Sequence, residues 1–114
     1  MATIYKICPE TTWRQAAAAG VLRGLPIDDA DGYIHFSTAG QLAETLRLHF
    51  AGVAGLVVAA IDPERLGGSL RYEPSRGGDL FPHLYDVLLM SAVLWVERLA
   101  IGEDGRHVLP DKVS

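Results

Sequence analysis

The chain has 114 residues, enough for one domain (1–114) built on one core. Its composition, 49% hydrophobic and 21% charged, is globular, and a net charge of −4 with no basic stripe argues against duplex nucleic acid as a partner. The single Cys8 excludes an internal disulfide and suits a reducing, cytoplasmic compartment, with the thiol expected as a small buried hydrophobe near a strand end.

No basic-then-apolar leader opens the chain, and the apolar runs at 56–61 and 84–96 are too short or too interrupted (Asp86, Ser91) to span a bilayer, so no membrane association is expected. Residues 3–8 are β-branched and aromatic and predict a strand stopped by Pro9. Thr12 and Gln15 have capping-box spacing, which predicts a helix from Thr12 that Gly20 ends, with Trp13 packing it on the sheet. Residues 22–31 hold Gly24, Pro26, Asp28, Asp29 and Asp31 without calcium-loop spacing, and predict an irregular, solvated loop.

Asp31-Gly32 predicts a turn into a strand over 33–37. Alternation there sends Ile34 and Phe36 to the core and leaves Tyr33, His35 and Ser37 for a cleft or another layer. Thr38 and Gln41 repeat the capping-box spacing, and Leu42, Leu46, His49, Phe50 and Val53 follow the helical period up to Gly52 and Gly55, with His49 at the core edge. The unbroken apolar run 56–61 predicts a strand covered on both faces. Residues 63–66 allow at most one helical turn, and 70–73 predict a short strand with Arg71 and Glu73 on one face. After a loop over 74–79, Phe81-Pro82 restricts the chain just before His83, and 86–92 is ambiguous. Residues 93–101 alternate as a strand, Glu103-Asp104-Gly105 turns, 106–109 return with a surface His107, and a frayed tail follows Pro110. This order argues an α+β fold with a mixed or split sheet and two main helices.

Two polar stretches stand out, Gly32 to Thr38 and Gly77 to Tyr85, and they are expected to face each other across one cleft. His35 beside Ser37 can orient a hydroxyl, act as a base or bond a ligand, or can simply bond backbone. Ser37 and Thr38 can cap the following helix, or, with its free N–H groups, meet an anion. His83 with Tyr85 is the second candidate, and Arg65, Arg71 and Arg76 are a basic subset suited to one small anionic molecule. P-loop, dinucleotide-fold, zincin and α/β-hydrolase signatures are absent, and the histidines lack metal-ligand spacing.

Asp31-Gly32-Tyr33-Ile34-His35-Phe36-Ser37-Thr38, Gln41-Leu42, Ile61-Asp62, Leu70-Arg71-Tyr72-Glu73 and Phe81-Pro82-His83-Leu84-Tyr85, in that order, resemble the bacterial family called domain of unknown function 952. The resemblance implies an ADP-ribosyltransferase-like architecture: a split mixed sheet with a cleft for a nicotinamide dinucleotide, NAD, between its halves. By that likeness His35 would bond the nicotinamide-side ribose, Arg71 would meet a phosphate, His83 or Tyr85 would act on the acceptor, and Glu73 would be the acid. Tyr33, Ser37 and Thr38 would line the ligand site. The chain has no separate Ser-Thr-Ser strand motif and no Gln-x-Glu or Glu-x-Glu near its C-terminus, which leaves ADP-ribosyl transfer or hydrolysis open beside a non-catalytic, nucleotide-like ligand module and a structural, partner-binding domain.

Overall fold

The continuous apolar run Leu56–Ile61 forms strand β5, and all six of its residues are buried. Burial on both faces removes any need for alternation, and two cores grow from it. In this computed structural model, which describes residues 2–114 and only the backbone of Arg76, β5 lies inside a four-stranded sheet of order β4-β1-β5-β9. Its partners are β1 (Ile4–Pro9), β4 (Ser37–Thr38) and β9 (Val93–Arg98). Val57, Ala59 and Ile61 face one core with Ile4, Cys8 and Trp13. Leu56, Val58 and Ala60 face the other with Tyr5, Ile7, Leu42 and Leu46.

A three-stranded sheet sits beside it: β3 (Ile34–His35), β7 (Leu80–Leu84) and β6 (Leu70–Pro74), in the order β3-β7-β6. Two short ribbons complete the strands, β2 (Val21–Leu22) with β8 (Leu88–Leu89), and β10 (Ala100–Ile101) with β11 (His107–Val108). The helices are α1 (Glu10–Ala19), α2 (Pro26–Asp31) and α3 (Leu42–His49). The fold is α+β and the sheet is split, as expected. It is not mixed: among the described residues every pairing is antiparallel, because short turns, ribbons and irregular crossings replace parallel crossover units.

Several local expectations change for tertiary reasons. α1 starts at Glu10, before the expected Thr12, because the Glu10 N–H already bonds the Gly55 carbonyl at 2.8 Å and needs no side-chain cap. Its end at Gly20, in left-handed backbone (φ 82°), and the buried Trp13 are as expected. Residues 22–31 are not a solvated loop. Pro26 opens α2, for which its fixed φ is suited, and Asp28 is buried at 2% exposure. α3 ends at His49, short of Val53, after a 3-10 turn over Ala39–Gln41, and both His49 and Val53 are exposed. The ambiguous stretch 86–92 becomes β8 and a 3-10 turn, Met90–Ala92.

The strand over 93–101 breaks at Leu99, which drops into the second core while its N–H bonds the Leu56 carbonyl at 2.9 Å. The tail is packed, not frayed: Leu109 and Val113 lie against the second core, and Lys112 sits 4.7 Å from the Trp95 ring. His107, expected at the surface, donates from Nε2 to the Val53 carbonyl at 2.7 Å and is half-buried, tying the terminal ribbon down. Cys8 is fully buried near the end of β1 as expected, and burial pushes its thiol up to about 11. Among the described residues no helix is long and apolar enough to cross a membrane.

Candidate functional site

The site forms where the chain changes sheet. Residues 33–37 are not one strand: Ile34 and His35 pair with β7, Phe36 steps across, and Ser37 and Thr38 pair with β1. The step is pinned by the Phe36 N–H donating to the Pro82 carbonyl at 3.0 Å. Ile34 and Phe36 are buried in the first core, so the expected alternation holds.

His35 is the direct cross-strand partner of His83. The two polar stretches therefore do not face each other across a cleft; they lie side by side on one face of the three-stranded sheet. The histidine rings are 5.8 Å apart, edge to face. Tyr33 stacks on His83 at 4.0 Å and meets His35 at 4.7 Å and Tyr85 at 5.3 Å. Alternation in antiparallel strands at adjacent registers puts all four rings on the same face.

His35 is held between two carboxylates. Its Nδ1 is 2.6 Å from Asp28 Oδ1 and its Nε2 is 2.8 Å from Asp31 Oδ2. Asp28 also accepts from the backbone N–H of Leu25 at 2.7 Å and of His35 at 3.0 Å, and from Lys6 Nζ through both oxygens, at 3.2 and 3.0 Å. Lys6 spends its remaining proton on the His35 carbonyl at 2.9 Å. Burial pulls on the Asp28 carboxyl from above, but the His35 bond, the Lys6 charge and the two backbone N–H groups outweigh it and hold it at about 2. Burial draws the Lys6 pKa down while Asp28 opposes that shift.

His83 is 3% exposed, and its Nδ1 is 2.9 Å from Glu73 Oε1. The same oxygen accepts from the Tyr85 hydroxyl at 2.6 Å. The Tyr85 and His83 bonds hold the Glu73 carboxyl below the usual glutamate range, and Glu73 in turn raises the Tyr85 phenol. The Nε2 of His83 has no hydrogen-bond partner among the described residues. Arg71, paired with His83 across β6 and β7, stands 5.5 Å over the Tyr85 ring. Ser37 Oγ shares a hydrogen bond with Thr45 Oγ1 at 3.0 Å, and the Thr38 N–H donates to Gln41 Oε1 at 3.0 Å, the backbone arm of the expected capping box. Arg65 lies apart, donating to the Ser91 carbonyl at 2.7 Å, and the Arg76 side chain lies outside the described residues.

A cleft of about 510 Å³ opens here between the two sheets. His35, His83 and Ser37 line it, with Asp31 and Lys6, and walls from Phe36, Phe50 and Phe81. Tyr33 and Tyr85 line a second hollow, of about 370 Å³, with Asp28 and Asp29. Thr38, Arg71 and Glu73 line neither, and Glu73 reaches the cleft only through His83. No group of three or more histidine, cysteine, aspartate or glutamate side chains among the described residues is arranged to hold a metal ion.

Lys6, Asp28 and Asp31 escaped sequence reasoning. A signal for Lys6 alone was present, a lysine between Tyr5 and Ile7 in an apolar strand, which needs a counter-charge when buried; nothing in the chain marks Asp28 as the carboxylate that supplies it.

The family model described as Protein of unknown function (DUF952) matches residues 7–96. The crystal structure of protein CC0527 from Caulobacter crescentus is 43% identical and superposes with a TM-score of 0.93 over 98% of each chain. Its solution NMR structure is 44% identical, with a TM-score of 0.84 over 93% of this chain and 91% of that one. No function is assigned to these structures. No curated protein matches this chain.

Proposed function

Because the chain belongs to the DUF952 family of proteins of unknown function, we propose a function from its cleft: binding of a nucleotide-like ligand of the nicotinamide dinucleotide type, with ADP-ribosyl transfer or hydrolysis as the reaction. This reading takes the split sheet as ADP-ribosyltransferase-like. The observation that carries it is His83, an almost fully buried imidazole with Nδ1 bonded to Glu73 and Nε2 unpartnered among the described residues, in the wall of the cleft. A carboxylate on Nδ1 fixes the ring so that Nε2 can take a proton.

The ligand's ribose meets His35 and Ser37, and its planar ring lies against the phenylalanine walls. Arg71 and Tyr85 lie outside the lining of the cleft and meet a phosphate that extends past it, with Tyr33 and Thr38 shaping the approach. Water or an acceptor hydroxyl gives its proton to His83 Nε2 as its oxygen bonds the ribose anomeric carbon. The bond to nicotinamide breaks with its electron pair going to the departing ring nitrogen. Positive charge building on the ribose is met by the carboxylates of Asp31 and, through His83, Glu73.

One observation favours a second reading, a non-catalytic module for the same ligand class: both nitrogens of His35 are already bonded to carboxylates, so the ring meets the ribose by packing and has no free donor or acceptor for a chemical step. Thermal shift with NAD, ADP-ribose and mononucleotides tests binding, since a ligand that prefers the folded state raises the melting temperature. Nicotinamide release by wild type and His83→Ala then separates the readings. A shift with release that His83→Ala abolishes supports the enzyme, a shift without release supports the module, and no shift with any ligand overturns both.

A further inference from the structure

We propose that the bond between His35 Nε2 and Asp31 is a pH-sensitive latch on the mouth of the cleft, closed while His35 is an imidazolium and released when the ring loses a proton. As a regulation of the ligand site it rests on the reading of the cleft as one, but the latch itself is a property of the free protein.

The geometry behind it is the unequal pair of carboxylates. An imidazole with an acceptor on each nitrogen makes both bonds only when both nitrogens carry a proton. The neutral ring keeps one proton, and two differently placed carboxylates compete for it. Asp28 has a side chain 1% exposed and fixed by Lys6 and two backbone N–H groups, so it cannot turn to water. Asp31 has a side chain 41% exposed and can be hydrated by a change of rotamer. The remaining proton therefore stays on Nδ1, where losing it would strand a buried charge. At Nε2 a lone pair then faces the Asp31 carboxylate at 2.8 Å, two acceptors in contact, and Asp31 swings out.

Among the described residues, the charged and titratable groups facing the ring are these. From α2 come Asp28 and Asp31; from β1, Lys6 bonds the His35 carbonyl. His83 on β7 presents its ring at 5.8 Å, and Tyr33 stands at 4.7 Å on the same segment. His49 of α3 lines the same cleft, and Glu73 of β6 reaches His83. Asp31 and His35 both line the cleft, so separating them widens its mouth and turns His35 Nε2 into a free acceptor. Asp31 ends α2, and the following Gly32 and Tyr33 N–H groups bond the Asp28 carbonyl at 2.8 and 3.2 Å, so loss of the latch loosens this turn.

The test uses the full chain without ligand, between about pH 5 and 9. Imidazole nitrogen NMR should show His35 passing from two protonated nitrogens to Nδ1 alone. The Asp31 carboxyl carbon should move at the same midpoint, and the protection of the Gly32 and Tyr33 amides should fall about tenfold across it, the effect of one lost charge-assisted bond. In Asp31→Asn, which keeps the size of a side chain 41% exposed at the surface, the amide protection stays flat across the same range. A neutral ring that keeps its proton on Nε2, or amide protection that is flat in wild type, overturns the latch. Either result leaves the ligand reading standing, since no ligand is present, and a negative ligand panel leaves the latch standing.

Discussion

Asp28 accepts hydrogen bonds from Lys6, from the His35 ring and from the backbone of Leu25 and His35. One buried carboxylate thus ties β1, α2 and β3 together. With its carboxyl held at about 2 against an ordinary value of 3.8, it contributes stability that is complete above about pH 4 and lost as pH falls through 3.8 towards 2. The size is about 2 kcal/mol, from the cost of about 1.4 kcal/mol per pH unit. Asp28→Asn should cost about 3–5 kcal/mol at neutral pH, because Lys6 is left buried without its counter-charge, and urea unfolding at pH 7 and pH 3 should show the acid loss of wild type shrinking in the variant. An unchanged acid dependence would remove Asp28 from that role. At this scale the sequence marked His35 and His83 plainly, while Asp28 lay hidden among three aspartates of which only one is buried.

At the level of elements, local signals held wherever nothing else could satisfy the same groups. Gly20 is such a case: it ends α1 at φ 82° with no atom within 4 Å of where a Cβ would stand. Gly20→Ala should therefore cost about 1 kcal/mol from backbone strain alone, with no clash, read as a lower urea midpoint at unchanged slope. A neutral substitution would show that the turn relaxes freely. The Thr12–Gln15 spacing failed for the opposite reason, since a carbonyl from Gly55 reached the helix start first. The strand expected over 33–37 failed because its two halves pair with different sheets, and hydrophobic alternation is the same whichever sheet a residue joins.

In the whole molecule, the four-stranded sheet separates two cores that share only its strands. Leu46 belongs to one and Leu88 to the other, both buried. Each substitution to alanine should cost about 2–5 kcal/mol, and the double variant should equal their sum within about 0.5 kcal/mol. A coupling well above that, measured by denaturant unfolding of the four proteins, would mean that the sheet transmits strain between its faces. The sequence by itself determined the α+β class, the doubly covered strand at 56–61 and the end of the first helix, because each follows from local periodicity or turn chemistry, and it singled out the two histidines as residues out of keeping with their neighbours. Only the tertiary structure decided that every strand pair among the described residues is antiparallel, that His35 and His83 are neighbours on one sheet, and that Lys6, Asp28 and Asp31 surround them. Those facts depend on which distant groups meet. A lone carboxylate reads the same in the chain whether it ends in water or against a buried ammonium, and only the folded packing removes the water.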